Sequence, residues 1–117
     1  MVGRRLPLWF EEGLAEYFER KTWEKEGGEP SRHHRGSFSS FQEISSALRG
    51  REDSVAAAYD AAAGAVYALI REQGFPAIPA LLEKVSAGAS FPAALEEETG
   101  LSLEELYGLW EKSSLTF

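Results

Sequence analysis

Four residues near the start of the chain have types and spacing that could carry chemistry: Trp9, Glu12, Gly13 and Glu16. A helix turns by about 100° per residue, so these positions share one side of it and the two carboxylates lie one turn apart. Tryptophan and glycine beside paired carboxylates indicate that a second helix approaches closely, with an acidic site at the contact. The alternative is a solvated acidic face, stabilised by i,i+4 contacts with Arg20.

The two histidines, His33 and His34, are adjacent and lie in a segment rich in Gly, Pro and Ser over residues 27–37. This composition predicts a mobile surface loop. Together with the arginines on either side, the histidines form a small basic island, which we expect to be solvated. The alternatives are capture of a metal ion with Glu29 or Glu12, and binding of an anion or acidic partner.

Tyr59 and Tyr67 fall on a long predicted helix and are most simply core residues whose hydroxyl groups reach the surface. Tyr59 could donate a hydrogen bond to a tetrahedral intermediate, but only in a complete active site. Trp23 and Trp110 are expected to be packing anchors. The chain has no cysteine, and no Ser-His-Asp arrangement is recognisable.

These side chains must be positioned by helices. The spacing of hydrophobic residues, together with residues typical of helix ends, predicts five or six helices. The first runs over residues 7–25, with Phe10, Leu14, Tyr17 and Phe18 as its buried stripe. The others are predicted over residues 40–50, 53–73, 76–88, 90–100 and from 102 to about 114. We therefore expect one all-α domain over residues 1–117, an irregular bundle in which the loop separates the first helix from a helical bundle over residues 40–114.

The bulk composition limits the function classes. The chain has 117 residues, 44% hydrophobic and 26% charged, which is typical of one soluble domain. Its formal net charge of -7 repels phosphate, so no nucleic-acid partner is expected. No run of about 20 apolar residues and no signal peptide is recognisable, so no membrane segment is expected and the default location is the cytoplasm.

The segment WFEEGLAEYF, residues 9–18, resembles the second zinc-ligand helix of gluzincins, particularly the peptidase-MA-like group, with the pattern W-[LF]-x-E-G-x-A-x-[YF]. In that family an upstream HExxH helix supplies two histidine ligands and the catalytic glutamate, and the glutamate of E-G-x-A completes the zinc site. The resemblance implies that Glu12 is the third zinc ligand. It also implies that Glu16 orients a ligating histidine by accepting a hydrogen bond from its other ring nitrogen. The later helices resemble the same group less specifically, up to about residue 111.

The chain departs from the family at the HExxH motif. That motif needs two histidines four residues apart, whereas His33 and His34 are adjacent and Arg35 follows them. Catalytic zinc normally has three protein ligands and a water, so one glutamate cannot hold it. Glu11 also stands where the family often has an uncharged residue. We therefore expect this chain alone to lack zinc and peptidase activity, and to be a zinc peptidase only if an upstream HExxH segment belongs to the protein.

Two main hypotheses follow. In the first, the chain is the C-terminal helical subdomain of a truncated zincin-like metallopeptidase. The face of Trp9, Glu12, Gly13 and Glu16 is then expected to be exposed, to pair with a second copy, or to receive the missing N-terminal half. In the second, the chain is an independent helical module that binds a peptide or partner helix in the groove left by the missing helix. A third, in which the chain completes an active site in trans, needs a separate HExxH chain.

Overall fold

The computed structural model describes residues 6–27, 38, 40–50 and 52–113, and these residues form an all-α protein with no strand among them. The helices are α1 (Leu8–Lys25), α2 (Phe41–Leu48), α3 (Glu52–Gln73), α4 (Ala77–Ser86), α5 (Phe91–Thr99) and α6 (Leu103–Ser113). The predicted all-α class is confirmed, and the helix ends agree with the predicted ones to within two residues. The predicted loop lies outside the described residues after Gly27. None of the described helices is both long and apolar enough to cross a membrane.

Local side-chain chemistry sets several helix ends, as the sequence predicts. Ser40 Oγ accepts a hydrogen bond from the backbone N–H of Glu43 at 3.1 Å and starts α2. Ser102 and Glu105 form a reciprocal capping box at the start of α6. Ser102 Oγ accepts from the Glu105 N–H at 3.1 Å, and Glu105 Oε1 accepts from the Ser102 N–H at 2.8 Å. Gly100 adopts a left-handed backbone with φ of 79° and ends α5.

The start of α1 is capped by a neighbouring helix. Pro7 precedes α1 and has no side-chain group that could accept from its free N–H groups. Instead, the backbone N–H of Trp9 donates to Ser45 Oγ, which lies on α2, at 3.1 Å. This bond ties the beginning of the helix that carries the candidate site to the rest of the protein.

The central helix is α3, which packs against α1, α2, α4 and α6. Its buried side chains include a series of alanines, each at most 4% exposed: Ala58, Ala61, Ala62, Ala63, Ala65 and Ala68. The closest approach occurs where Gly13 of α1 faces α3. A Cβ atom at Gly13 would lie 2.5 Å from the carbonyl oxygen of Ala62 and 2.8 Å from Cγ2 of Val66. Only glycine therefore permits this crossing without a shift of one helix.

Aromatic side chains fill the space between α1, α2 and α6. Trp9 stacks on Phe41 with ring centroids 4.1 Å apart, and Trp110 lies 5.5 Å from Phe41. Trp110 is fully buried, so its predicted role as a packing anchor is confirmed. The same prediction for Trp23 is wrong, because 58% of its surface is exposed.

The buried stripe of α1 is rotated from the predicted one. Phe18 was expected in the core but is 44% exposed, and Leu14 is only half-buried. Trp9 and Gly13, which were expected on the opposite side, are buried together with two of the predicted core residues, Phe10 and Tyr17. The close approach of a second helix, which Trp9 and Gly13 predict by their residue types, is confirmed, because α3 packs against the glycine. Hydrophobic spacing gives a glycine no weight, and for that reason it placed the buried stripe on the wrong side of Phe18.

Candidate functional site

The face predicted to receive a missing helix is partly covered by the chain itself. Trp9 is 2% exposed and stacks on Phe41 of α2, and Gly13 lies against α3. The expectation that these two residues form an exposed patch is therefore wrong, because α2 and α3 occupy that side of α1. Glu12 and Glu16 lie at the border of the covered side and are partly exposed. The part of the face that a ligand could reach is acidic.

Glu16 belongs to an ion-pair network that joins α1 to α3. Arg20 Nε donates to Glu16 Oε2 at 3.0 Å, and Arg20 Nη1 donates to Asp60 Oδ1 at 2.8 Å. All three side chains are partly buried. The i,i+4 contact is the one expected for an acidic surface face. Asp60 was not anticipated, because it lies 40 residues from Arg20 in the chain and no sequence spacing encodes such a contact.

Glu12 differs from Glu16 in having no partner among the residues that the structure describes. Within the part of the chain that the structure describes, its carboxylate makes neither a hydrogen bond nor an ion pair. The adjacent residue, Gly13, fixes the helix against α3, so packing at the next position holds the Glu12 backbone in place. An unpaired carboxylate on an anchored helix can accept hydrogen bonds or bind a cation.

Tyr59 is not brought together with the two carboxylates. It is half-buried on α3, and among the described residues no hydrogen bond joins its hydroxyl to Glu12 or Glu16. Tyr67 is also half-buried and packs against Tyr17 with ring centroids 6.3 Å apart. Tyr67 therefore has the packing role expected of it, and a catalytic role for Tyr59 stays a prediction.

Zinc does not fit the described residues by themselves. No group of three or more His, Cys, Asp or Glu side chains among residues 6–27, 38, 40–50 and 52–113 could hold a metal ion. Glu12 would supply a single ligand, whereas catalytic zinc normally has three from the protein. His33 and His34 lie outside the described residues, so metal capture by them stays a prediction. A zinc site at Glu12 would need further ligands from elsewhere.

Comparisons of the chain with models of known protein families, with curated proteins and with solved structures found no match. The resemblance to gluzincins therefore depends on the motif of residues 9–18. The zinc-binding roles that the motif implies for Glu12 and Glu16 are proposals. What the structure adds is the exposure and the contacts of these two residues.

Proposed function

We propose that this chain is the C-terminal helical part of a gluzincin-type zinc metallopeptidase, in which Glu12 is the third zinc ligand. Without an HExxH segment, the chain does not hydrolyse peptides. The observation that carries the proposal is the state of Glu12: a partly exposed carboxylate, unpaired within the described residues, beside the glycine that anchors α1 to α3. A carboxylate that binds a metal supplied by another segment needs a backbone held in place and no competing hydrogen bond or ion pair.

Glu16 supports the same proposal. Its contact with Arg20 uses Oε2, which leaves Oε1 with lone pairs that can accept a further hydrogen bond. Arg20 is itself bonded to Asp60, so the network restricts the position of the Glu16 carboxylate. Such a carboxylate, one turn after a metal ligand, can orient a ligating histidine through the histidine's other ring nitrogen.

The buried residues restrict where the HExxH helix could dock. Trp9 and Gly13 are covered by α2 and α3, so the second helix must approach from the partly exposed side of Glu12 and Glu16. On that side the exposed neighbours are Glu19 and Trp23. The proposed interface therefore contains Glu12 and Glu16 but not Trp9 or Gly13, so it is smaller than the four-residue face predicted from the sequence.

The experiment that tests this proposal uses the longer protein. The gene is read in frame upstream of Met1, and a chain that includes an HExxH segment is expressed and assayed for zinc content and peptide hydrolysis. We expect Glu12→Gln to weaken zinc binding by more than about tenfold and to abolish hydrolysis. Glu83→Gln is the control, because Glu83 is an exposed carboxylate on α4 and not on the proposed docking side of α1. An upstream frame without HExxH, or full zinc content in Glu12→Gln, would contradict the proposal.

A second candidate function is a helical module that binds a protein or peptide. Phe18 and Phe75 favour it, since they are 44% and 45% exposed and their rings meet edge to face with centroids 5.8 Å apart. Contiguous exposed apolar surface is a feature of protein contact sites, and these two rings form the start of such a surface. A partner captured by the wild-type chain and by Glu12→Gln, but not by a Phe18→Ser/Phe75→Ser variant, would favour this alternative.

A further inference from the structure

An open cleft of about 320 Å³ lies between the first turns of α2 and α6, and none of its lining residues belongs to α1. The cleft is lined by Ser40, Phe41, Gln42, Leu103, Glu104 and Tyr107. Phe41, Leu103 and Tyr107 make its walls mainly apolar. Clefts of this size with few polar groups are the usual form of small-ligand sites.

Two aromatic rings form a corner of the cleft. Phe41 and Tyr107 have centroids 5.7 Å apart and planes inclined at 76°. Trp9 stacks on Phe41 and Trp110 contacts Tyr107 at 5.2 Å, so both rings are held by their neighbours. Trp9 covers one face of the buried Phe41 ring, so the half-buried Tyr107 offers the more accessible ring, and the negative face of such a ring attracts a cation.

The charge at the cleft favours a cation as well. Glu104 is the only charged residue of the six, and its side chain is exposed in the first turn of α6. The N-terminus of a helix carries roughly half a positive charge, which the full negative charge of Glu104 exceeds. An anion in the cleft would therefore be repelled by Glu104, whereas a cation would be attracted to it.

We infer that this cleft binds an alkylated ammonium group, with its alkyl carbons against Leu103 and the rings, and its charge near Glu104. Proteins recognise quaternary ammonium ions chiefly through aromatic rings, and in this cleft the apolar wall and the carboxylate of Glu104 add contacts for the alkyl groups and for the charge. The inference does not depend on the zinc proposal, because neither Glu12 nor any other residue of α1 lines the cleft, and Trp9 only supports Phe41 from behind.

Choline is a suitable probe, since a neutral isostere exists in which a tert-butyl group replaces the trimethylammonium group. Binding of both compounds to the full chain is followed by NMR, through the methyl resonances of Leu103. We expect choline to give a saturable shift and the neutral isostere to bind about tenfold more weakly. Equal binding of the two compounds, or no saturable shift with choline, would overturn the inference.

Two variants distinguish the contribution of the Glu104 charge to choline binding from that of the Tyr107 ring. Glu104→Gln is expected to weaken choline binding about three- to tenfold and to leave the neutral isostere unaffected. Tyr107→Leu should weaken the binding of choline more than the binding of the isostere, because this variant keeps an apolar wall but removes the aromatic ring. Glu96→Gln, an exposed acid on α5, is the matched control and should change nothing. Circular dichroism verifies that each variant is folded, and choline binding that is unchanged in Glu104→Gln would overturn the inference.

Discussion

Gly13 and Gly108 are both helical glycines, but an added methyl group would meet different surroundings at the two positions. At Gly13 it would collide with Ala62 and Val66, whereas at Gly108 it would meet no atom within 4 Å from the described residues beyond its chain neighbours and its own helix backbone. We expect Gly13→Ala to lower the free energy of unfolding by about 1–3 kcal/mol through overpacking. Gly108→Ala, the matched control, should raise it by about 0.5–1 kcal/mol through helix propensity. Urea denaturation measures both, and equal effects at the two sites would mean that α1 and α3 do not cross at Gly13.

The Arg20 network permits a second test at the level of single residues. A double-mutant cycle with Arg20→Met and Asp60→Asn should give a coupling free energy of about 1 kcal/mol, because the pair is partly buried and its atoms are 2.8 Å apart. Lys84 and Glu97 form a more exposed pair at 3.2 Å, and the same cycle there is expected to give a value close to zero. A coupling no larger for Arg20 and Asp60 than for this control pair would show that the network does not tie α1 to α3.

At the level of helices, Ser45 of α2 caps the start of a different helix, α1. Its Oγ accepts from the Trp9 N–H at the start of α1, where Pro7 provides no cap. Ser45→Ala should therefore destabilise the protein by about 1 kcal/mol, as the loss of a conventional helix cap does. Ser46→Ala is the control, because Ser46 is an exposed neighbour on the same helix. Amide hydrogen exchange at Trp9 should accelerate in Ser45→Ala alone, and unchanged exchange there would contradict the assignment of the cap.

The helices differ in how far the sequence could predict them. Starts that depend on nearby residues were predictable, because Ser102 and Glu105 carry their capping chemistry within four positions. The orientation of α1 was predictable only in part: Trp9 and Gly13 indicated a helix contact, but the exposure of Phe18 depends on where α3 lies, and α3 is far along the chain. Gly13 determines the buried side by permitting contact, yet hydrophobic spacing assigns it no preference. The sequence predicted the candidate site only as a motif. Which motif residues are accessible to a ligand depends on how α2 and α3 pack against α1, and the motif does not encode this packing.

Which side of α1 is covered is a property of the whole molecule, and its three tryptophans can report on it. Trp9 and Trp110 are at most 2% exposed, whereas Trp23 is 58% exposed. In the wild-type chain, acrylamide should therefore quench one fraction of the fluorescence readily and the remainder poorly.

Trp23→Phe should shift the emission to shorter wavelength and remove the readily quenched fraction, because only buried indoles remain. Trp110→Phe is the reciprocal variant and should keep that fraction, since Trp23 is retained. If Trp23→Phe is still readily quenched, and a Trp23→Phe/Trp110→Phe variant is as well, Trp9 is accessible and α2 does not cover it in solution. The wider face of Trp9, Glu12, Gly13 and Glu16 would then be open to a second helix, and the docking direction proposed for the HExxH segment would have to be revised. Efficient protection of Trp9 would instead restrict that helix to the acidic side of α1.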